Sequence, residues 1–107
     1  MRRYSTPTVE VTVEGHDLTG MDEVAVTFRQ GPRLVIVKDP PMTTETHDGI
    51  TDTIIAIPLT QVQTASFTTG DADVQVNYMD TLGHRVATTI GTITVEKNIL
   101  ERLMPLD

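Results

Sequence analysis

Apolar residues recur at every second position through most of this chain, and that period constrains the fold more than any other feature. A strand sends successive side chains to opposite faces. Val9, Val11 and Val13 alternate with Thr8, Glu10, Thr12 and Glu14, which predicts a strand with one buried and one wet face. The loop from Gly15 to Gly20 ends it, and Val24, Val26 and Phe28 form a second inward set. After the tight turn Gln30-Gly31-Pro32-Arg33, the run Leu34-Val35-Ile36-Val37 is apolar on both faces, which predicts a central strand. Asp39-Pro40-Pro41 breaks it, because two prolines cannot both serve an interior ladder. The threonine-rich segment Met42 to His47 then reads as an edge strand.

Asp48-Gly49 tolerates positive φ at both positions and predicts a hairpin into the hydrophobic strand Ile54 to Ile57. From Leu59 to Phe67 the period changes. Thr60 can cap a short helical turn near 60–66, with Leu59, Val62 and Ala65 on its buried side and Phe67 plugging a sheet end. Val74, Val76 and Tyr78 resume the alternation, and the Asp80 to His84 turn predicts the most regular hairpin of the chain. The last strand, about Arg85 to Val95, changes parity: Val86 and Ile90 are even, Ile93 and Val95 odd. One unpaired residue at a bulge by Gly91 would restore the inward direction. Ile99, Leu100, Leu103 and Met104 recur at helical spacing, predicting a short amphipathic helix over about 96–104 that packs on its own sandwich or on a partner. The expected fold is all-β: an immunoglobulin-like antiparallel sandwich of about seven strands, one domain over residues 1–107 with its core in about 7–96.

Composition narrows the function. A chain of 107 residues buries roughly two-thirds of its unfolded surface and can fold without staples. It has no cysteine, which excludes disulfides, thiolate metal sites and thiol catalysis and fits synthesis in a reducing cytoplasm. The basic start Met1-Arg2-Arg3 leads into a polar segment, so no secretion signal is expected. Charges and threonines interrupt every apolar stretch, so no span of roughly 18 residues could cross a bilayer as a helix. From Asp39 through His84 there are seven acids and no Lys or Arg. Such a surface repels phosphate, so neither nucleic acid nor an anionic membrane is an expected partner.

No residue pattern announces a reaction, and the expectation is a protein without catalytic activity or cofactor. Ser5 and Ser66 are the only serines and neither lies in a nucleophile motif. His16, His47 and His84 fall in or beside three separate turns, so a zinc site would need three loops to converge. Asp71 and Asp73 flank Ala72 in a way that could face a hard cation, and equally in the way of any acidic turn. The Met42 to His47 edge could accept a neighbour's strand, although its charges and preceding prolines more often block such pairing.

The order of elements resembles the amino-terminal domain of phage baseplate upper proteins and similar small prophage-encoded structural proteins of Gram-positive hosts. The likeness rests on Asp17-Leu18-Thr19-Gly20, on Leu59 to Phe67 leading into Asp73-Val74-Gln75-Val76-Asn77-Tyr78, on the Asp80 to Arg85 turn, and on Ile93-Thr94-Val95. It implies a virion part, made in the bacterial cytoplasm, that docks to other tail or baseplate proteins; a small accessory protein of the tail or head, and a homo-oligomer, are the further expectations. Ile99, Leu100, Leu103 and Met104 are then the expected docking stripe. In that family a fibre or receptor-binding region continues from the carboxyl end; with the chain ending at Asp107, none is expected here. The alternative is a carbohydrate-binding or adhesive sandwich at a cell surface, which would draw on exposed aromatic rings, and the chain has two tyrosines, two phenylalanines and no tryptophan.

Overall fold

The computed structural model describes residues 1–88, 90–98 and 103–104. They form an all-β sandwich of two antiparallel sheets. One sheet has three strands in the order β1 (Thr8–Val13), β5 (Ile50–Pro58), β4 (Met42–His47). The other runs β3 (Arg33–Lys38), β2 (Glu23–Gln30), β6 (Gly70–Met79), with β7 (Arg85–Ala87) and β8 (Gly91–Val95) sharing the far edge of β6. A five-residue helix, α1 (Gln61–Ala65), lies in the crossover from β5 to β6.

Alternation builds the core. Val24, Val26 and Phe28 of β2 stand opposite Tyr78, Val76 and Val74 of β6, and all six are buried. Ile55 and Ile57 of β5 face them from the other sheet with no exposure. Each such side chain contributes about 1.5–3 kcal/mol by leaving water. Leu18 and Phe67, from two of the three loops that cross between the sheets, close the ends of the same cluster and are also fully buried.

Local chemistry sets the turns as expected in two places. Asp48 and Gly49 both take positive φ, 51° and 79°, and His47 pairs Ile50 across them. Thr60 and Gln63 form a reciprocal capping box: the Thr60 hydroxyl accepts from the Gln63 N–H, and the Gln63 side chain accepts from the Thr60 N–H. The inward side of α1 differs from expectation. Val62 is 66% exposed, and Thr64 is the buried residue, because its hydroxyl is engaged by the chain that precedes β1.

Three further expectations are corrected. The run Leu34 to Val37 is an edge strand, not a central one: among the described residues β3 pairs only with β2, and its second apolar face leaves Leu34 and Ile36 55% and 50% exposed. Apolarity on both faces of a strand does not require that it have two hydrogen-bonded neighbours. The β6–β7 hairpin is not the most regular, since β7 keeps only three residues in register. The last strand is broken in two, which makes eight strands among the described residues where about seven were expected. The expected one-residue bulge is present between the halves: Asn77 faces Ala87 while Val74 faces Gly91, so three steps along β6 match four on its partner. Thr88 bridges the break, its N–H bonding the Val76 carbonyl at 2.9 Å and its hydroxyl accepting from the Val76 N–H at 3.1 Å.

The amino terminus is anchored. Arg2 forms a parallel bridge with Glu96, and Arg3 reaches the carbonyls of Phe67 and Ala65. Of the helix expected over 96–104, residues 99–102 lie outside those described. Glu96, Lys97 and Asn98 are not helical, nor are Leu103 and Met104.

Candidate protein-contact surface

The two sheets do not close equally on both flanks. Along one flank β1, the edge of the three-stranded sheet, stands apart from β7 and β8, and between them runs an open groove of about 630 Å³. Val9 and Val11 line one wall, Val74 and Val76 the floor, and Val86 and Ile90 the other wall. Exposure grades outward: Val74 is 7% exposed, whereas Val86 and Ile90 are 44% and 55% exposed. β1 pairs with β5 alone, so among the described residues its outer edge has no strand partner. A free edge is a row of main-chain donors and acceptors, and here it borders an apolar trough, the setting that strand addition uses.

Charge is segregated across the sandwich. The strands β1, β4 and β5 hold Glu10, Glu45 and Asp52 and no Lys or Arg, and Glu14 follows directly on β1. The β2–β3 hairpin holds Arg29, Arg33 and Lys38. Arg29 pairs with Asp73 at 3.6 Å; Arg33 and Lys38 are exposed at the two ends of the free β3 edge.

The titratable residues considered for chemistry are scattered. His47 lies 3.6 Å from Glu45, His84 lies 3.2 Å from Asp80, and the His16 ring is 6.2 Å from that of Tyr78. Among the described residues no three of these side chain types gather as metal ligands. Asp71 and Asp73 do share the outer face of β6, but Asp71 accepts a hydrogen bond from Thr94 and Asp73 faces Arg29. The Ser5 hydroxyl donates to the Arg2 carbonyl and the Ser66 hydroxyl to the Gln63 carbonyl, so each is engaged by nearby main chain. Phe28 and Phe67 have no exposure, Tyr78 is 9% exposed, and Tyr4 lies beneath the Arg3 guanidinium at 5.3 Å.

Two carboxylates are held below their ordinary range by loop hydrogen bonds. The Thr19 hydroxyl and then the Thr19 N–H lower Asp17. For Asp80 the His84 N–H is the main cause, acting against desolvation and aided by the Leu82 N–H. Both residues organise turns, one in the loop that enters β2 and one in the turn that leaves β6.

Of the expected docking stripe, Ile99 and Leu100 lie outside the described residues. Leu103 and Met104 are 52% and 54% exposed, and the Met104 main chain forms two hydrogen bonds with the Gln61 side chain at 2.7 and 3.0 Å. The described end of the chain therefore sits beside α1. The groove was not foreseen from sequence, although the parity change after Val86 was its trace: the bulge that restores register also leaves Val86 and Ile90 outside the core. Comparisons with protein-family models, with curated proteins and with solved structures find no match to this chain.

Proposed function

We propose that this chain is a structural protein of a phage or prophage virion, in its tail, baseplate or head, and that it works by protein–protein contact through an immunoglobulin-like sandwich. The succession of hairpins β2–β3, β4–β5 and β6–β7, with sheet crossings between them, supports the immunoglobulin-like reading. The sequence resemblance supports the virion setting. The observation that carries the contact reading is the free edge of β1 beside an apolar groove. An apolar trough next to unpaired main chain is costly to leave in water and is relieved by an added strand.

The test is particle composition. Virions induced from a lysogen and purified by density should contain the chain at a fixed copy number. The variant Val86→Lys/Ile90→Lys should stay folded, because both side chains are about half exposed, yet be lost from particles. A chain absent from purified particles overturns the virion reading. Undiminished incorporation of the double variant overturns the assignment of the groove.

A further inference from the structure

We propose that copies of this chain join head to tail, strand β3 of one copy adding antiparallel to the free edge of β1 in the next. This rests on the contact reading above and names the occupant of the groove. The two edges lie on opposite flanks: β1 shares the groove flank with β7 and β8, and β3 ends the same sheet at its far side. Contact between two different patches is heterologous, so it repeats from copy to copy, giving a ring if the rotation closes and a filament if it does not.

Length, parity and one charge pair, Arg33 with Glu14, agree on one register. Both strands have six residues. Setting Arg33 opposite Glu14 places Leu34 opposite Val13 and Ile36 opposite Val11, so the two exposed apolar side chains of β3 fall on the groove side of β1. Arg33 then meets Glu14 on the outer face, while Lys38, opposite Val9 at the other end of the ladder, lies on the groove side, the face opposite to Glu10. All four charged side chains are exposed and none has an ion-pair partner among the described residues.

Symmetric alternatives are worse. Pairing β1 with β1 crowds Glu10 and Glu14 of two copies along one seam, pairing β3 with β3 crowds Arg33 and Lys38, and like charges opposed across strands destabilise a ladder. The remaining free edge, β4, carries Glu45 and no cation, and all its residues but Met42 are exposed. It has no apolar stripe to offer the groove.

Sedimentation of the purified chain across a wide concentration range tests this directly. Self-association that weakens with added salt is expected. The charge-reversed variants Glu10→Lys/Glu14→Lys and Arg33→Glu/Lys38→Glu should each associate about tenfold more weakly or less. An equimolar mixture should recover assembly, because each variant's β1 then matches the other's β3. Monomer at every concentration, or a mixture no better than its components, overturns the proposal. The chain has no cysteine, so cross-linking is a clean second readout. Val11→Cys mixed with Ile36→Cys should oxidise to a covalent dimer. A dimer formed by Val11→Cys alone shows a symmetric β1 seam instead. Particle incorporation is read separately: charge-reversed variants that no longer self-associate but still enter virions leave the virion reading standing and place the groove's partner elsewhere.

Discussion

Ser5 and Thr64 are locked by two hydrogen bonds: the Thr64 hydroxyl accepts from the Ser5 N–H at 3.0 Å and donates to the Ser5 carbonyl at 2.9 Å. Thr64 has no exposure, so α1 is fastened to the segment that enters β1 through one buried side chain. Thr64→Val keeps the shape and strands two main-chain groups of Ser5. A loss of about 1–3 kcal/mol in chemical denaturation is expected, with most of it restored by Thr64→Ser. Thr53 does the same for the β1–β2 crossover, accepting from the Leu18 N–H at 2.9 Å and donating to the His16 carbonyl at 2.7 Å. Equal stability in both valine variants would contradict these roles.

Phe67 fills the end of the sandwich with no exposure, and Arg3 bonds its carbonyl. Phe67→Ala is expected to cost about 3–5 kcal/mol, read from denaturation midpoints, because the rigid crossover cannot collapse into the space. Val62→Ala, on the wet side of α1, is the control and should change little.

Acid should loosen the β6–β7 turn. Asp80 accepts from the main-chain N–H groups of His84 and Leu82, and its carboxyl is held below the ordinary value. A group with a depressed folded-state pKa stabilises above its unfolded value, and that contribution disappears as pH falls through the folded one. Protection of the Leu82 and His84 amides, taken against the intrinsic exchange rate at each pH, should therefore fall below the ordinary carboxylate range. Asp80→Ala should show the faster exchange at all pH values. Pattern-independent exchange in both proteins would remove the carboxylate from this role.

Gly49 takes φ of 79° at the β4–β5 hairpin, with open space around its Cα. Strain rather than collision therefore sets the cost of Gly49→Ala, about 1–2 kcal/mol in thermal or urea denaturation.

The faces of this fold could be read from sequence, whereas its edges could not. Val24, Val26, Phe28, Val74, Val76 and Tyr78 all turn inward as their spacing requires, because side-chain direction follows from the period alone. Capping at Thr60 and the Asp48-Gly49 hairpin were equally visible, since each is settled within four residues. The neighbour of a strand depends on distant segments. Leu34 and Ile36 therefore suggested a central strand and proved to lie on an edge, exposed on its outer face. The groove belongs to the same class of fact, as it arises where β1 and the bulged β7–β8 edge fail to meet, sixty and more residues apart in the chain. Buried threonines such as Thr53 and Thr64 were hidden among nineteen, because only the tertiary fold decides which hydroxyls meet main chain.

Hydrogen exchange resolved by residue, followed from dilute to concentrated protein, asks most directly whether function here is made at strand edges. Amides of β1 and β3 are expected to gain protection as concentration rises, while those of β2 and β6, already paired on both sides, stay unchanged. Exchange at β1 and β3 that is indifferent to concentration and to the presence of assembled particles would contradict it.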